Sequence, residues 1–461
     1  MKRILLIFIA LIGVCELLQA YNTTVDSIAL DPGKAGGVYY AYPITDDSQV
    51  CFTKPPKGYE PFYVSHYGRH GSRYLINDKD YKNVLDWLRI AYYSDILTDR
   101  GRLLKEQMDT IWMEARGRGG ELTPLGNRQH REIAHRLILN NPQIFEGTPE
   151  ITAKSTVIMR CAHSMFSFLE GLKDVNPTLE IPRESGTRAM DYLNNHTPQS
   201  NVHSGHSGAW YPKWRNFRND KTNPERLMST IFKDDYLDDN FAKYIVDIKE
   251  AMWDLYWIAI DLQNMETPIR LYDLFTPQEL YDLWQVFNFN FYACNSSYPS
   301  ALGTLTDNAQ NLLKNIIDTA DEYIAEGKNG ATLRFGHDGN ITPLTALMQL
   351  EDCWTYVCDA ESLADHWADY HVSPMAANLQ MIFYRSKENP EILVKLMLNE
   401  KEIAIDKDVI NTDIFPFYRW SELRPALKML AECPSWEFLP VEYIEGDGFD
   451  EWLEEEEAKF Q

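Results

Sequence analysis

Short apolar runs alternate with helix-like segments over much of the chain, which is the pattern of an α/β protein. Residues 62–67 form an apolar run that predicts a buried strand, and residues 332–336 predict a second one. Residues 156–159 are similarly apolar and predict a third strand, followed by a helix at 164–172. Each of these three strands ends directly before polar residues, so the carboxyl end of the sheet is the place to look for a site.

A helix start is predicted soon after the second strand. Thr342 precedes Pro343 and an apolar-periodic segment. Threonine is a preferred helix cap, and proline fits the first helical position because its missing N–H is not needed there. We therefore expect a helix to begin at Thr342, which leaves the preceding residues in a loop between strand and helix.

The alternation stops between residues 173 and 300. Residues 241–265 carry apolar side chains at helical spacing, and no alternating strand pattern follows them. The sequence thus predicts a doubly wound, mostly parallel α/β sheet core, at 21–172 and 301–461, with an inserted, mainly helical cap. Three aromatic residues of the cap are expected to pack in its interior: Trp253, Tyr256 and Trp257.

Composition narrows the class of protein. The chain has 461 residues, 44% of them hydrophobic, which is enough to bury a large core and excludes a disordered or fibrous protein. Its net charge of −24 argues against nucleic acid as a partner. A site for an anionic substrate would be a local basic island in an acidic field.

The first 20 residues have the pattern of a secretory signal peptide. Lys2 and Arg3 precede an apolar run at 4–14, and a small-residue cleavage site follows near Ala20. The run is short for a membrane span, so we expect no stable span and an exported protein that is periplasmic, extracellular or at the cell surface. Cys15 permits lipidation as an alternative. The acidic end of the chain, residues 445–461, is expected to be a solvated tail.

Six cysteines remain after the signal peptide, and an even number in an exported chain permits disulfides. Cys353 and Cys358 are the pair we expect to be bridged, whereas Cys161 is as compatible with a buried free thiol. No Cys-x-x-Cys pair is present, so a zinc site is not indicated. We expect neither a metal nor an organic cofactor.

The densest chemistry lies in the five residues that follow the first strand. Arg69, His70, Gly71, Ser72 and Arg73 combine an imidazole with two guanidinium groups. A neutral imidazole on His70 can attack phosphorus, and the planar arginine forks can hold the phosphoryl oxygens. A glycine beside them allows a close backbone approach. A solvated basic turn is the alternative interpretation.

Two other strand ends supply matching groups. His337 and Asp338 follow the strand at 332–336, and Arg160 follows the predicted strand at 156–159. One crevice at the carboxyl end of the sheet could collect all of them. An ordinary polar loop is the alternative for His337 and Asp338.

These motifs resemble the histidine phosphatases, in the branch of the acid phosphatases and phytases. Residues 122–126 and 334–337 are similar to the multiple inositol polyphosphate phosphatases within that branch. Where that subgroup has His-Ala-Glu, this chain has His337-Asp338-Gly339, which is the pattern of other phytases and acid phosphatases. The resemblance implies that His70 is the nucleophile and Asp338 the proton donor, with phosphate bound by four residues: Arg69, Arg73, Arg160 and His337.

The expected activity is therefore that of a secreted phosphomonoesterase, acting on inositol polyphosphates as the resemblance implies. A broad acid phosphatase for small monoesters, a phosphotransferase and a phosphate-binding module without turnover are the alternatives. An ordinary aspartate is ionised at neutral pH, so Asp338 donates a proton only if its pKa is raised or the medium is acidic. We expect an acidic optimum, with His70 kept neutral by the nearby arginines.

Further cations are candidates for the distal phosphates of a polyphosphate. Residues 213–221 of the cap form a local basic run, although a solvated loop is the favoured interpretation. The same alternatives hold for four arginines before the second strand: Arg100, Arg102, Arg116 and Arg118.

Overall fold

A computed structural model of the protein describes residues 24–44, 50, 52–234 and 246–435. The predicted signal peptide at residues 1–20, which includes Cys15, lies outside this part of the chain, as do Cys51 and the acidic tail at 445–461. Within the described residues, every helix is too short or too polar to cross a membrane.

One sheet of eight strands runs through the described residues. In chain order the strands are β1 (Tyr59–Arg69), β2 (Glu150–Ser155), β3 (Arg183–Glu184), β4 (Gly330–Gly336), β5 (Asn378–Ser386), β6 (Leu393–Leu398), β7 (Lys401–Glu402) and β8 (Phe417–Arg419). Across the sheet their order is β3-β2-β4-β1-β5-β6-β7, and β8 pairs with β6.

Helices cover both faces of this sheet and build a separate layer beside it. In chain order they are α1 (Thr24–Leu30), α2 (Asp78–Tyr93), α3 (Asp99–Ala115), α4 (Pro124–Asn140), α5 (Met159–Val175), α6 (Met190–Leu193), α7 (Pro198–Ser204), α8 (Trp210–Lys221), α9 (Glu225–Ile231), α10 (Ile248–Asp261), α11 (Pro277–Asn295), α12 (Gln310–Glu326), α13 (Asp338–Leu347), α14 (Asp369–Val372) and α15 (Trp420–Glu432). A 3₁₀ segment at Pro32–Tyr39 precedes β1.

The predicted α/β class is confirmed, and the sheet is mixed. Strands β3, β2, β4 and β1 run parallel to one another, whereas the pairs β1–β5, β5–β6, β6–β7 and β6–β8 are antiparallel. In the central pair, Arg69 of β1 lies opposite Gly336 of β4. The carboxyl ends of the parallel strands therefore meet at one edge, and the residues that follow them are brought together.

Alternation along β1 explains why helices pack on both faces. Tyr63 belongs to the core that α12 and α15 cover, and the next residue, Val64, belongs to the core on the side of α4 and α5. Successive side chains of a strand point to opposite faces, so a strand buried on both sides is apolar throughout. This is why the apolar runs at 62–67 and 332–336 correctly predicted β1 and β4.

Two predicted elements are wrong. Residues 156–159 do not form a strand. β2 ends at Ser155, Val157 and Ile158 are exposed in the turn that leads into α5, and Met159, also exposed, is the first residue of that helix. The helix predicted to start at Thr342 begins at Asp338 instead, and Pro343 lies inside it. In both places a strand is followed by a helix, as predicted. The chain turns from one to the other within a few residues, so the predicted bounds were displaced.

The predicted cap is mainly helical, but the helices that pack together in it do not all come from residues 173–300. In the described part of 173–300 the main elements are helices, yet β3 lies there and pairs with β2 of the core. The helices α2 and α3, which precede this range, pack against α10 and α9 of the cap. The helical layer thus draws on two stretches of chain, and the boundaries at 173 and 300 remain predictions.

The expected disulfide is absent. Cys353 and Cys358 are both free thiols, the first buried and the second exposed. Cys161 is a buried free thiol, as the alternative interpretation had it. A chain with a core of this size does not depend on crosslinks for stability.

A buried ion pair joins α4 to the antiparallel half of the sheet. Arg136 donates from Nε and Nη2 to the two carboxylate oxygens of Glu400, at 2.9 and 2.8 Å. The hydroxyl of Tyr42 donates to the same carboxylate at 2.9 Å. Both charged side chains are less than 5% exposed, so each depends on the other for compensation of its charge.

Substitution of Glu400 by alanine should therefore be costly. We expect Glu400→Ala to lower the free energy of unfolding by about 3–5 kcal/mol, because it leaves the Arg136 charge buried without its carboxylate. Urea unfolding measures this loss. The exposed Glu388→Ala serves as the control, with an expected change within about 0.5 kcal/mol. Equal effects of the two substitutions would contradict the structural role of the pair.

Candidate active site

The carboxyl edge of β1 and β4 brings the predicted site residues together. Arg69 ends β1 and His70 follows it, while His337 and Asp338 follow β4. The rings of His70 and His337 lie 5.8 Å apart between centroids, and Arg69 Nη2 lies 2.6 Å from Asp338 Oδ2. The sequence prediction of one shared crevice agrees with this geometry.

Arg160 reaches the same place from a different element than expected. It lies in the first turn of α5 rather than at a strand end. The charges of Arg69, Arg160 and Arg73 all act on the ring of His70. The three predicted phosphate-binding arginines therefore surround one imidazole.

The tautomer of His70 is set by a carbonyl group. Its Nδ1 lies 3.0 Å from the backbone oxygen of Gly71. A carbonyl oxygen only accepts, so Nδ1 carries the hydrogen and Nε2 keeps its lone pair. Of the two ring nitrogens, Nε2 is thus the one that can act as a nucleophile.

Burial and positive charge keep this ring neutral. His70 is 2% exposed, and this burial is the largest cause of a pKa well below the usual value for histidine. The guanidinium groups of Arg69, Arg160 and Arg73 lower the pKa further. A neutral, nucleophilic imidazole therefore persists into acidic solution.

The arginines form an incompletely satisfied cluster of donors. Arg69 is fully buried and donates from Nη1 to the backbone oxygens of Val38 and Ser373. Arg73 donates to the backbone oxygen of Tyr74. Among the described residues, no acceptor is found for the buried Nε atoms of three side chains: Arg69, Arg73 and Arg160. Unsatisfied guanidinium donors around one point are what an oxyanion requires.

Asp338 is held as a carboxylate by its neighbours. Burial raises the pKa of this side chain, but Arg69, His337 and Arg73 outweigh burial and bring it below the usual value. The backbone N–H of Gly339 donates to Oδ1 at 2.8 Å. The sequence left open whether burial or the arginines would dominate, and in this structure the arginines do. The side chain remains 26% exposed, so its carboxyl group reaches the crevice.

His337 occupies the N-cap position of α13. Its Nε2 lies 3.2 Å from the hydroxyl of Thr156, and its backbone N–H donates to the hydroxyl of Tyr67. Burial lowers the pKa of this histidine to about 4. The ring is therefore neutral near pH 7 and can act as a hydrogen-bond donor rather than as a charge.

The loop that carries His70 is fixed by α4. Thr123 caps this helix and donates from both its N–H and its hydroxyl to the backbone oxygen of Ser72. A Cβ atom on Gly71 would lie 2.6 Å from the backbone oxygen of Gly126. The structure therefore requires glycine at 71 for the close contact with α4, in addition to any approach of the substrate.

Asn264 of the cap and Tyr39 of the 3₁₀ segment complete the support, and neither was predicted as a site residue. The hydroxyl of Ser72 donates to Asn264 Oδ1 at 2.7 Å, and Asn264 Nδ2 donates to the backbone oxygen of Tyr39. The guanidinium of Arg73 packs over the ring of Tyr39, with Cζ 4.6 Å from the ring centroid. Asn264 is 192 residues from Ser72 along the chain, so no local pattern could have connected them.

Comparison with known proteins agrees with this architecture. The family model described as histidine phosphatase superfamily (branch 2) matches residues 68–399. The chain is similar to the multiple inositol polyphosphate phosphatase of Bifidobacterium longum, solved with inositol hexasulfate, with a TM-score of 0.68 and 19% identity over 86% of this chain and 97% of that one. Comparison with curated protein sequences gave no match.

Two phytase structures show the same fold. The phytase from D. castellii has a TM-score of 0.63 and 15% identity, with 87% of this chain and 85% of that chain covered. The Hafnia alvei phytase, in complex with myo-inositol hexakis sulphate, has a TM-score of 0.51 and 15% identity, with 84% and 100% covered. At these identities the similarity establishes a common fold.

The contact between Gly71 and Gly126 gives a direct test of the loop. Gly71→Ala should destabilise the protein by about 1–3 kcal/mol, because the new methyl group meets backbone rather than a movable side chain. Displacement of His70 should also reduce any activity of the site by about 100-fold. The control is Gly186→Ala, where a Cβ meets nothing within 4 Å. Thermal unfolding and steady-state kinetics measure both effects, and a Gly71→Ala protein as stable and active as Gly186→Ala would contradict the packing argument.

Proposed function

Since the chain belongs to the histidine phosphatase superfamily, branch 2, we propose that it hydrolyses phosphate monoesters through a phosphohistidine intermediate on His70. The observation that carries this proposal is the neutral ring of His70, whose Nδ1 donates to the Gly71 carbonyl and whose Nε2 is left with its lone pair. The surrounding arginines supply the charge that a transferring phosphoryl group needs.

In the first step, Nε2 of His70 forms a bond to phosphorus while the bond from phosphorus to the alcohol oxygen breaks. Asp338 transfers its proton to that oxygen, so the alcohol leaves uncharged. The Gly71 carbonyl, which accepts from Nδ1, stabilises the positive charge that develops on the ring. Arg69, Arg73 and Arg160 hold the phosphoryl oxygens, with His337 as a further donor.

In the second step, water attacks the phosphorus and gives a proton to the Asp338 carboxylate. The bond from phosphorus to Nε2 breaks, inorganic phosphate leaves, and neutral His70 is restored. A substrate phosphate also prepares Asp338 for the first step. It competes for Arg69 and adds negative charge nearby, and both effects raise the pKa of the carboxyl group.

Inositol polyphosphates are the first substrate class we propose, because two structural neighbours were solved with sulfated inositols. Small phosphate monoesters are the second, and the surface charges favour them. The candidate cations for distal phosphates are mostly neutralised by carboxylates: Arg100 by Asp273, Arg102 by Asp95, Arg118 by Glu114, Arg218 by Glu250 and Lys221 by Glu361. The basic run at 213–221 also lies in α8 and is not a loop.

We propose in addition that the protein is exported and works in the periplasm, outside the cell or at its surface. The basic and apolar pattern of residues 1–20 supports this. An exported enzyme meets phosphate esters in the medium and can operate in acid, which suits a proton donor with a lowered pKa.

Phosphate release tests the proposed activity. Wild type should release phosphate from inositol hexakisphosphate or glycerol phosphate between acidic and neutral pH with a chelator present. His70→Ala should lose at least about 1,000-fold in rate, because the nucleophile is gone. The exposed His366→Ala is the matched control and should keep its rate. Wild type denatured in alkaline detergent during turnover should carry a phosphoryl group on His70, because the phosphorus–nitrogen bond is stable in alkali and is hydrolysed in acid.

Each outcome of this experiment is informative. If wild type releases phosphate but carries no phosphoryl group on His70, the covalent intermediate is excluded and water attacks the ester directly. If wild type binds inorganic phosphate but releases none from the esters, the protein is a phosphate-binding module without turnover.

The proton donor gives a second test. Asp338→Asn should lose about 100-fold or more on alkyl phosphates and much less on aryl phosphates with acidic leaving groups, which need no proton. The wild-type rate on alkyl phosphates should rise as the pH falls below 7, because Asp338 with its lowered pKa must gain a proton while His70 remains neutral. The variant should lack this rise. An equal loss on both substrate types, or a wild-type optimum above neutrality, would exclude Asp338 as the acid.

A further inference from the structure

A second cavity adjoins the arginines and plays no part in the mechanism above. It has a volume of about 220 Å³ and lies between the 3₁₀ segment, the start of α2 and the cap helices α10 and α11. Its lining consists of Tyr39, Leu75, Asp80, Asp254, Trp257 and Phe287.

Tyr39 connects this cavity to the phosphate-binding arginines. Its ring packs against the guanidinium of Arg73, whose Cζ lies 4.6 Å from the ring centroid. Leu75, on the same wall, is two residues from Arg73. An ester whose phosphate is held by the arginines can therefore extend its alcohol part toward this cavity.

Three aromatic rings form the walls. The ring of Trp257 lies 5.9 Å from that of Tyr39 at 47° and 4.9 Å from that of Phe287 at 85°. Tyr39 and Phe287 lie 6.2 Å apart at 59°. All three rings line the same cavity, and aromatic walls of this kind bind alkylammonium cations. The interior position predicted for Trp257 is thus only part of its role, since the ring also faces the cavity.

The remaining lining is negative. Asp254 lies on α10 and is largely buried, and its pKa is raised to about 6 by burial and by the charges of Glu250 and Asp80. Asp80 accepts a hydrogen bond from the backbone N–H of Asn77 at the start of α2. At pH 7 Asp254 is mostly ionised, so two carboxylates in one small cavity repel a second phosphate group and attract a cation.

We propose that this cavity binds a positively charged amine on the alcohol part of the substrate, so that the enzyme prefers phosphate monoesters of amino alcohols. The proposal rests on the proposed phosphomonoesterase activity and selects the small monoesters among its two substrate classes. The arginines hold the phosphate, and the aromatic and acidic cavity holds the ammonium group at the other end.

The test compares two esters of the same shape. Phosphocholine carries a quaternary ammonium group, and 3,3-dimethylbutyl phosphate is its uncharged counterpart. At pH 7, wild type should show a kcat/KM at least about tenfold higher for phosphocholine, the size of one desolvated cation–π contact combined with the carboxylate attraction. The double variant Asp80→Asn with Asp254→Asn, and separately Trp257→Leu, should bring this ratio close to one. The exposed Glu180→Gln, which removes a charge elsewhere, should keep the wild-type ratio.

Binding to the inactive enzyme separates this proposal from the proposed function. Calorimetry with His70→Ala protein should detect choline and not 3,3-dimethylbutanol, and the double aspartate variant should lose the choline signal. Choline binding without phosphate release from any ester would sustain the cavity and overturn the phosphatase. Phosphate release with equal kcat/KM for the two esters, or with a clear preference for inositol hexakisphosphate, would sustain the phosphatase and overturn the amine site.

Discussion

The buried guanidinium of Arg69 is the interaction on which the site depends. A full positive charge lies at the end of the central strand with no exposure to solvent, and it is compensated from three directions. Backbone oxygens of Val38 and Ser373 accept from Nη1, and the Asp338 carboxylate lies beside Nη2. The segment before β1, the turn before β5 and the start of α13 are therefore fixed relative to one cation. A buried charge held in this way tolerates little displacement, because every lost contact leaves it unsatisfied.

In the proposed mechanism, this arrangement couples substrate binding to proton transfer. In the free protein Asp338 is the anion that balances Arg69, and its lowered pKa records that. A phosphate group is a stronger competitor for the same guanidinium, since it offers more acceptor oxygens and more charge. Once phosphate takes that place, the carboxyl group loses its partner and faces a negative neighbour, so its neutral form becomes more favourable. Under this proposal, binding of the substrate phosphate favours the protonated form of Asp338 that the first step requires.

The sequence predicted the parts of this site that are encoded locally. His70, Arg69 and Arg73 lie in one loop after an apolar strand, and His337 and Asp338 lie in another, so strand prediction alone brought them to one edge. It failed where the signal was ambiguous over a few residues. The apolar residues at 157–159 were predicted to form a buried strand but are exposed. The Thr342-Pro343 pair was predicted to start a helix but lies inside α13. Asn264 and Tyr39 were missed because their contacts join distant segments, which only the folded chain brings together.

The net charge of the whole molecule affects which phosphate esters can approach the site. The protein has a net charge of −24, so the positive charge of the three arginines around His70 is confined to the site. A polyphosphate would bring several negative charges into this acidic field, and the nearby cations are largely occupied by carboxylates. In the binding mode we propose, a zwitterionic monoester meets no such opposition, since the arginines neutralise its phosphate while Asp80 and Asp254 neutralise its ammonium group. Because Tyr39 both contacts Arg73 and lines the cavity, the two charges of the proposed ester orient it, with phosphorus toward His70 and the amine toward the cap.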